Sequence, residues 1–354
     1  MNVYRLGCLE GQMSMLIFHA LARMGSEGLI IVSPKERIVS IGYFQDTDKV
    51  VDLEYCKTHG ISVMRREIGG GTTLLDQDQI FFQLLLRRDN PGFPRGISAL
   101  YELIAGPCVD TYRQLGVRAL FRPVNDVITE EGRKVSGLGG ADIGECVVFV
   151  GNIILNFDSR GMANILKVPS EKFRDKVFKS LEDNVSSVLK ETGKMPPRKE
   201  VEDLLIENFE KSLGKLNEVP LPAEVYEKAR ELGTKMMSDE FLFKRRDKKT
   251  DGESYMKVKI SSDVQVSEQS YKAPGGLITV TCAVEGGIIR DISITGDFTL
   301  YPKERLRDIE DSLIGVRRHV SDIEEVISKV YRDLSIDSPG VLPLHFAEAI
   351  CKAS

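Results

Sequence analysis

The sequence predicts a mixed α/β (α+β) protein in two parts, a large strand-and-helix part followed by a smaller α+β part. Residues 1 to about 160 alternate between short apolar runs and longer runs with helical spacing. Residues 170–238 repeat apolar residues every three or four positions, as amphipathic helices do. The stretch after them alternates apolar and polar residues, which predicts strands with one buried face.

The pattern of the first part predicts the following elements, given in chain order. LEGQMSMLIFHALARMG has Met15, Phe18, His19 and Ala22 on one side, so it predicts a helix. Strands are predicted at LIIVS, RIVSIGYF and GISVMRR, with a helix at Leu53–Thr58. Further on we predict a strand in TTLLDQDQIFFQLLL, a helix in ISALYELIAGPCVDTYRQLG, a strand at VRALF, a hairpin in NDVITEEGRKVSG and a strand in CVVFVGNIILNFD.

The middle of the chain predicts three helices. The first carries an apolar stripe of Phe173, Val177, Leu181, Val185 and Leu189, with Ser170 as its N-cap. The second carries Val201, Leu205, Phe209 and Leu213, and the third is LPAEVYEKARELGTKMMS. The charged run FKRRDKKTDGES follows without apolar periodicity, which is typical of a solvated linker. We therefore predict a large domain at 1–244, a linker at 245–252 and a small α+β domain at 253–354.

The sequence after the linker predicts a hairpin and two helices. In GLITVTCAVEGGIIRDISITGDF, Ile278, Val280, Cys282 and Val284 alternate with smaller residues up to the EGG turn. The two helices carry Leu306, Ile309 and Leu313, and then Ile323, Val326, Ile327 and Val330.

Composition excludes several classes of protein. The 354 residues are 42% hydrophobic and 29% charged with a net charge of −5, so a broad nucleic-acid-binding surface is not expected. The N-terminus has no signal-peptide pattern, and no apolar run approaches the ~20 residues of a membrane span. The six cysteines are scattered without a CxxC, which favours a reducing cytoplasm and no disulfide framework.

The stretch RREIGGGTTLLD, residues 65–76, is the first candidate site. Three consecutive glycines are costly to order, and a chain keeps them where the backbone needs unusual dihedrals or must be approached closely. Arg65 and Arg66 add positive charge beside bare N–H donors, which suits a phosphate or carboxylate. The stretch is neither GxxxxGK[ST] nor GxGxxG, so neither nucleotide-binding motif applies. A glycine-rich turn without a ligand is the alternative.

Two further elements lie on the predicted hairpin. GRKVSGLGG places Lys134 on a strand among glycines, where the alternative is an ordinary solvated lysine. VNDV places Asn125 and Asp126 at the start of the same hairpin, where the alternative is a routine turn pair.

In this order, RRxxGGG, ND and GRKxSG resemble the lipoate–protein ligase family, which belongs to the biotin/lipoate ligase superfamily. SIGYFQDTDKVVDLEYCKTHGISVMRR is similar to the family's lead-in, and GGLITVTCAVEGGIIRDISITGDF resembles the accessory domain of two-domain members. The resemblance implies a biotin/lipoate ligase-like catalytic domain with a mixed sheet and flanking helices.

The resemblance also implies site residues. Lys134 matches the family's essential lysine, and Asp126 matches a residue near the phosphates that would help hold Mg²⁺. Twelve positions match family residues that bind lipoate, ATP or the adenylate: Arg66, Gly69, Gly70, Gly71, Thr72, Asp76, Asn125, Asp126, Ser136, Gly137, Gly151 and Asn152.

The implied reaction is ATP-dependent ligation. A lipoate carboxylate attacks the α-phosphate of ATP, and the lipoyl-AMP passes its acyl group to a lysine of a lipoyl carrier, such as an H-protein or an acyltransferase lipoyl domain. Departures from the family pattern at Ile68, Leu75, Asp78, Gln79 and Val150 make the pocket more apolar and leave the acyl-chain preference open.

Two alternatives remain open. An octanoyltransferase of the same fold needs a cysteine thiolate near the lysine. In such enzymes the cysteine lies shortly before the ND hairpin, where this chain has LFRPV, and Cys146 reads as a small core residue. A non-catalytic lipoate-binding protein would tolerate loss of Lys134 or Asp126, and both are present.

Overall fold

The computed structural model describes residues 1–94, 96–245 and 264–352. Contacts divide the chain into two compact units. The first comprises 1–41, 48–67 and 72–242, and the second comprises 42–47, 68–71 and the chain from Phe243 onward. The predicted linker at 245–252 lies outside the described residues except for Arg245.

The secondary structure runs as follows. The elements up to residue 165 are β1 (Asn2–Leu9), α1 (Gly11–Arg23), β2 (Gly28–Pro34), β3 (Ile38–Ile41), α2 (Thr47–Val50), α3 (Leu53–Thr58), β4 (Ser62–Arg65), β5 (Thr73–Leu75), β6 (Gln79–Arg87), α4 (Ile97–Gln114), β7 (Ala119–Arg122), β8 (Asp126–Thr129), β9 (Lys134–Gly137), β10 (Gly139–Ile143), β11 (Cys146–Ile154) and α5 (Ser159–Ile165). They are followed by α6 (Glu171–Asn184), α7 (Val188–Thr192), α8 (Arg198–Leu213), β12 (Asn217–Glu218), α9 (Ala223–Met236), α10 (Asp239–Leu242), β13 (Val264–Ala273), β14 (Gly276–Glu285), β15 (Ile288–Gly296), α11 (Leu306–Ser312), α12 (Val320–Asp333) and α13 (Pro343–Cys351).

The first unit is built on a mixed six-stranded sheet. Its strand order is β10-β11-β6-β2-β1-β12, with β1 parallel to both β2 and β12 and the remaining pairs antiparallel. Two three-stranded sheets, β4-β3-β5 and β7-β8-β9, complete it. The predicted mixed fold is therefore confirmed.

The main core lies where this sheet meets α4 and α8. Phe82 of β6, Tyr101 of α4 and Phe209 of α8 are almost completely buried in one cluster. The stripe predicted for α8 is confirmed, because Val201, Leu205 and Phe209 face that core. Strand β2 is buried along its whole length, as a central strand covered on both faces should be.

The first predicted middle helix is wrong in its extent. Helix α6 ends at Asn184, Val185 is extended, and α7 begins only at Val188. The helix α6 buries none of its residues fully, so the apolar stripe there covers little. Ser186 and Ser187 at the break are buried instead, and the Ser186 N–H donates to the carbonyl oxygen of Lys134 on β9.

The second unit contains the predicted hairpin, β14–β15, together with a third antiparallel strand, β13. Ile278, Val280 and Cys282 are buried on one face of β14. The two predicted helices are present as α11 and α12, and α13 adds a third. No helix in the described parts of the chain has both the length and the apolarity needed to cross a membrane.

Candidate functional site

The β8–β9 hairpin brings two predicted site residues into direct contact. The Nζ atom of Lys134 lies 2.6 Å from Oδ1 of Asp126, and a guanidinium nitrogen of Arg122 lies 2.8 Å from the other carboxylate oxygen. Burial favours the neutral acid, but Lys134 and Arg122 outweigh it and hold the pKa of Asp126 below its ordinary value. The β7-β8-β9 sheet therefore places two cations around one ionised carboxylate.

Local chain geometry explains how Lys134 reaches Asp126. Asp126 pairs with Gly137 across the hairpin, and the register shifts beyond Val127. A Cβ atom at Gly137 would lie 3.0 Å from both Cε and Nζ of Lys134. The lysine side chain thus lies over Gly137, and the missing side chain there gives it room.

Arg122 is a member of this cluster that the sequence analysis missed. It lies directly opposite Asp126 in the β7–β8 pair. Opposite charges facing each other across two strands are a recognisable signal once the strand register is known. The register was the missing information.

A buried hydrogen-bonded chain joins three more of the predicted residues. The Ser136 hydroxyl donates to Oδ1 of Asn152 at 3.0 Å, and the Asn152 amide donates to Oε1 of Gln79 at 3.0 Å. The Gln79 amide donates in turn to the Leu74 carbonyl at 2.9 Å and to Asp76 at 3.3 Å. Sequence reasoning noted Gln79 only as a departure from the family pattern. The sequence pattern that could have identified Gln79 is a polar residue at the start of an otherwise apolar strand.

Asp76 lies in a turn at the end of this series of hydrogen bonds. Its carboxylate also accepts from the Asp78 N–H at 3.1 Å, and burial raises its pKa above the ordinary value. Asn125 holds the other side of the hairpin entrance, since its amide donates to the Leu138 carbonyl at 2.8 Å. Gly151 has a packing role: a Cβ atom there would lie 2.3 Å from the Phe82 ring.

We expect replacement of Asn152 to destabilise the fold. Asn152→Ala leaves the Ser136 hydroxyl and the Gln79 carbonyl oxygen without that partner in a buried place, which should cost about 1–3 kcal/mol of unfolding free energy. Urea denaturation measures it. Asn184→Ala is the matched control, because Asn184 bonds only at the exposed end of α6 and should change stability by less than about 0.5 kcal/mol. Equal stabilities of the two variants would show that the buried hydrogen bonds of Asn152 do not stabilise the fold.

The two arginines before the glycines have different roles. Arg65 is completely buried and donates to the main-chain carbonyls of Phe241 and Leu242, so it holds the end of α10. Arg66 donates to the carbonyl oxygen of Ser40 at 3.0 Å and to the Ser40 hydroxyl at 3.2 Å. Burial, with the nearby charge of Arg65, lowers the pKa of Arg66 to about 10, so it remains a cation at neutral pH.

The glycine loop belongs to the second unit and packs against its residues 298–299. The Gly70 N–H donates to the Phe298 carbonyl at 3.2 Å, and Gly70 has a φ of +86°. A Cβ atom at Gly69 would lie 2.5 Å from that same carbonyl oxygen. The close approach that the glycines predict is therefore made, at Gly69 and Gly70, by the protein's own backbone. Gly71 and Thr72 are partly exposed.

The contacts of Asp126 bear on the magnesium ion predicted there. Both carboxylate oxygens of Asp126 already face a cation, so a divalent ion there would meet two positive charges. Within residues 1–94, 96–245 and 264–352, no three His, Cys, Asp or Glu side chains form a group suited to a metal. These residues do not fit a magnesium ion held by the protein alone.

Two sequence families match the chain. The family described as lipoyl protein ligase A/B catalytic domain matches residues 12–210. The family described as bacterial lipoate protein ligase C-terminus matches residues 266–338.

Individual proteins and solved structures also resemble the chain. An octanoyltransferase LipM from Kyrpidia tusciae is 28% identical over 229 residues, which are 58% of this chain and 83% of that protein. A structure of a bi-partite lipoate protein ligase with its E2 lipoyl domain, from Thermoplasma acidophilum, has a TM-score of 0.62 at 28% identity and covers 70% of this chain and 98% of its own. P. falciparum LipL1 in complex with lipoate is only 14% identical but has a TM-score of 0.66 and covers 99% of this chain and 98% of its own, which shows a shared fold.

Proposed function

Because the chain belongs to the lipoyl protein ligase A/B catalytic-domain family, we propose that it activates lipoate, or a related acyl acid, with ATP. The product is an acyl-adenylate, and its acyl group passes to a lysine of a lipoyl-carrier protein. The chain is an enzyme of the lipoate ligase/transferase family, and the proposal concerns which of these two reactions it performs.

The observation that carries the proposal is the match of residues 266–338 to a family named for the C-terminus of lipoate protein ligases. The octanoyltransferase relative matches only 58% of the chain. A chain that carries both ligase regions is better suited to ligation than to simple acyl transfer.

The chemistry fits two cations, Lys134 on the hairpin and Arg66 after β4. Attack of a carboxylate on the α-phosphate of ATP brings two anions together, and negative charge grows on the phosphate oxygens. Lys134 and Arg66 are fixed cations that would offset this charge. Asp126 restrains the Lys134 ammonium in one place before substrate arrives. No nucleophile from the protein is required.

A second candidate is acyl transfer through a cysteine thioester, favoured by the name of the octanoyltransferase relative. That reaction needs a thiolate. Burial raises the pKa of Cys56, Cys146 and Cys282 to about 11 and that of Cys108 to about 12, which keeps these thiols protonated at neutral pH. Cys8 is exposed on β1 and Cys351 ends α13, so neither lies on the hairpin that carries Lys134.

The acceptor we propose is a lipoyl-type carrier. The Thermoplasma structure describes a ligase together with its E2 lipoyl domain, which supports a carrier of that kind here. An H-protein is the other expected carrier. Magnesium would enter with ATP, bound mainly by the phosphates, as Mg²⁺ commonly is in ATP-dependent enzymes.

Mass spectrometry of the carriers tests the proposal. Purified protein is mixed with ATP, magnesium, lipoate or octanoate, and a panel of lipoyl domains and H-proteins. We expect a carrier to gain the mass of one acyl group only when ATP is present. A parallel reaction omits ATP and supplies octanoyl-acyl carrier protein. Transfer in that reaction, with none from free acid and ATP, would establish the transferase instead.

A further inference from the structure

The break between α6 and α7 places residues 185–187 against β9. Val185 forms an isolated parallel bridge with Lys134, and the Ser186 N–H donates to the Lys134 carbonyl oxygen at 2.8 Å. Strand β8 lies on the other side, where Ile128 pairs with Lys134. The main chain of Lys134 is therefore held from two sides, although its side chain is 42% exposed.

Glu191 of α7 holds the neighbouring residue. Its carboxylate accepts two bonds from the Arg133 guanidinium, at 2.9 and 2.8 Å, and a third from the Ser186 hydroxyl. The Glu191 side chain is only 11% exposed. We call Arg133, Ser186 and Glu191 the β9 clamp.

The geometry of the clamp favours positioning over simple stabilisation. A bidentate arginine–carboxylate pair fixes orientation as well as distance. Here it joins α7 to the residue next to Lys134, and Ser186 links the same carboxylate to the Lys134 main chain. A lysine that must meet a phosphate needs its backbone fixed, because a displacement of about 1 Å can cost about 100-fold in rate.

We propose that Ser186 and Glu191 are positioning residues that fix Lys134 for adenylate formation, an inference that rests on the proposed function. They do not touch substrate in this proposal. They act through Arg133 and through the main chain of Lys134.

Three variants test the clamp. Glu191→Gln removes the charge and one acceptor from the Arg133 pair, while keeping the side-chain shape. Ser186→Ala removes the hydroxyl bond to Glu191 but keeps the main-chain bond to Lys134. Asp89→Asn is the matched control, because Asp89 also accepts two bonds from one arginine, Arg87, at 2.9 and 2.6 Å on an exposed turn.

The kinetic readout is lipoyl-AMP formation by full-length protein over ranges of ATP and lipoate. Glu191→Gln should lower kcat about 10-fold or more with KM values changed less than about 3-fold, because ground-state binding is retained and alignment is lost. Ser186→Ala should lower kcat in the same direction by a smaller factor, and Asp89→Asn should leave it unchanged. Thermal unfolding of each variant shows that it is folded at the assay temperature. If Glu191→Gln does not fold, Ser186→Ala decides.

A readout without activity separates the two proposals. Lysines are reductively methylated with ¹³C-formaldehyde, and the Lys134 NMR signal is identified by its absence in Lys134→Arg. The signal should move or broaden in Glu191→Gln and stay in place in Asp89→Asn. If the wild type makes no adenylate but this signal responds, the proposed function is wrong and the clamp stands. Wild-type kcat and an unchanged Lys134 signal in Glu191→Gln would overturn the clamp alone.

Discussion

Lys134→Ala should lower the rate of adenylate formation by about 100- to 1000-fold, the usual cost of losing one preorganised group that stabilises transition-state charge. The variant removes the cation 2.6 Å from Asp126 and leaves Arg122 as the partner of that carboxylate. Release of pyrophosphate with lipoate and ATP measures the rate.

The fold of this variant should be retained. The Lys134 side chain is 42% exposed, and exposed ion pairs contribute only about 0–1 kcal/mol. Lys199→Ala is the control, since Lys199 forms a similar pair with Asp203 on the exposed side of α8 and is not part of the hairpin. Turnover by Lys134→Ala at the level of Lys199→Ala would refute the assignment of Lys134.

Gly69→Ala should be far more damaging than the same substitution at Gly71. The added Cβ atom would lie 2.5 Å from the Phe298 carbonyl oxygen and 2.9 Å from Cα of Thr299, both main-chain atoms that cannot rotate away. Overpacking of this kind costs about 1–3 kcal/mol. We expect a lower midpoint of chemical unfolding and slower adenylate formation, because the loop must move.

Gly71→Ala provides the comparison two residues away. Its Cβ atom would meet only the Asp297 side chain, at 3.8 Å, which is ordinary contact. It should therefore keep the stability of the wild type. If both variants are equally stable, the packing of the loop against residues 298–299 is not what fixes the glycine at position 69.

Local patterns were enough to predict most single elements. Helix α3 has the predicted bounds, Leu53–Thr58, and the predicted β8–β9 hairpin turns next to Gly132, which has a φ of +85°. These features depend on turn chemistry and on apolar spacing, which are properties of neighbouring residues.

The predictions from sequence fail where contacts with residues far along the chain determine the secondary structure. The apolar spacing through Val185 predicts a continuous helix. The bonds of Ser186 to Lys134 and Glu191 favour a break there, and the Ser187 side chain caps the start of α7. Strand β1 was not predicted, and it is completed by pairing with β2 and with Asn217–Glu218 far along the chain. In the candidate site, Asp126 and Lys134 could be named as candidates from the sequence, whereas Arg122 could be named only once the strand register was known.

Ile68–Gly71 and Gly42–Thr47 are counted with the second compact unit although they are encoded within the first. A plasmid that expresses only the chain from Phe243 onward would thus make a polypeptide that lacks two segments of its own compact unit. Anyone dividing this protein for crystallisation or for a split reporter should expect neither fragment to be whole after a single cut.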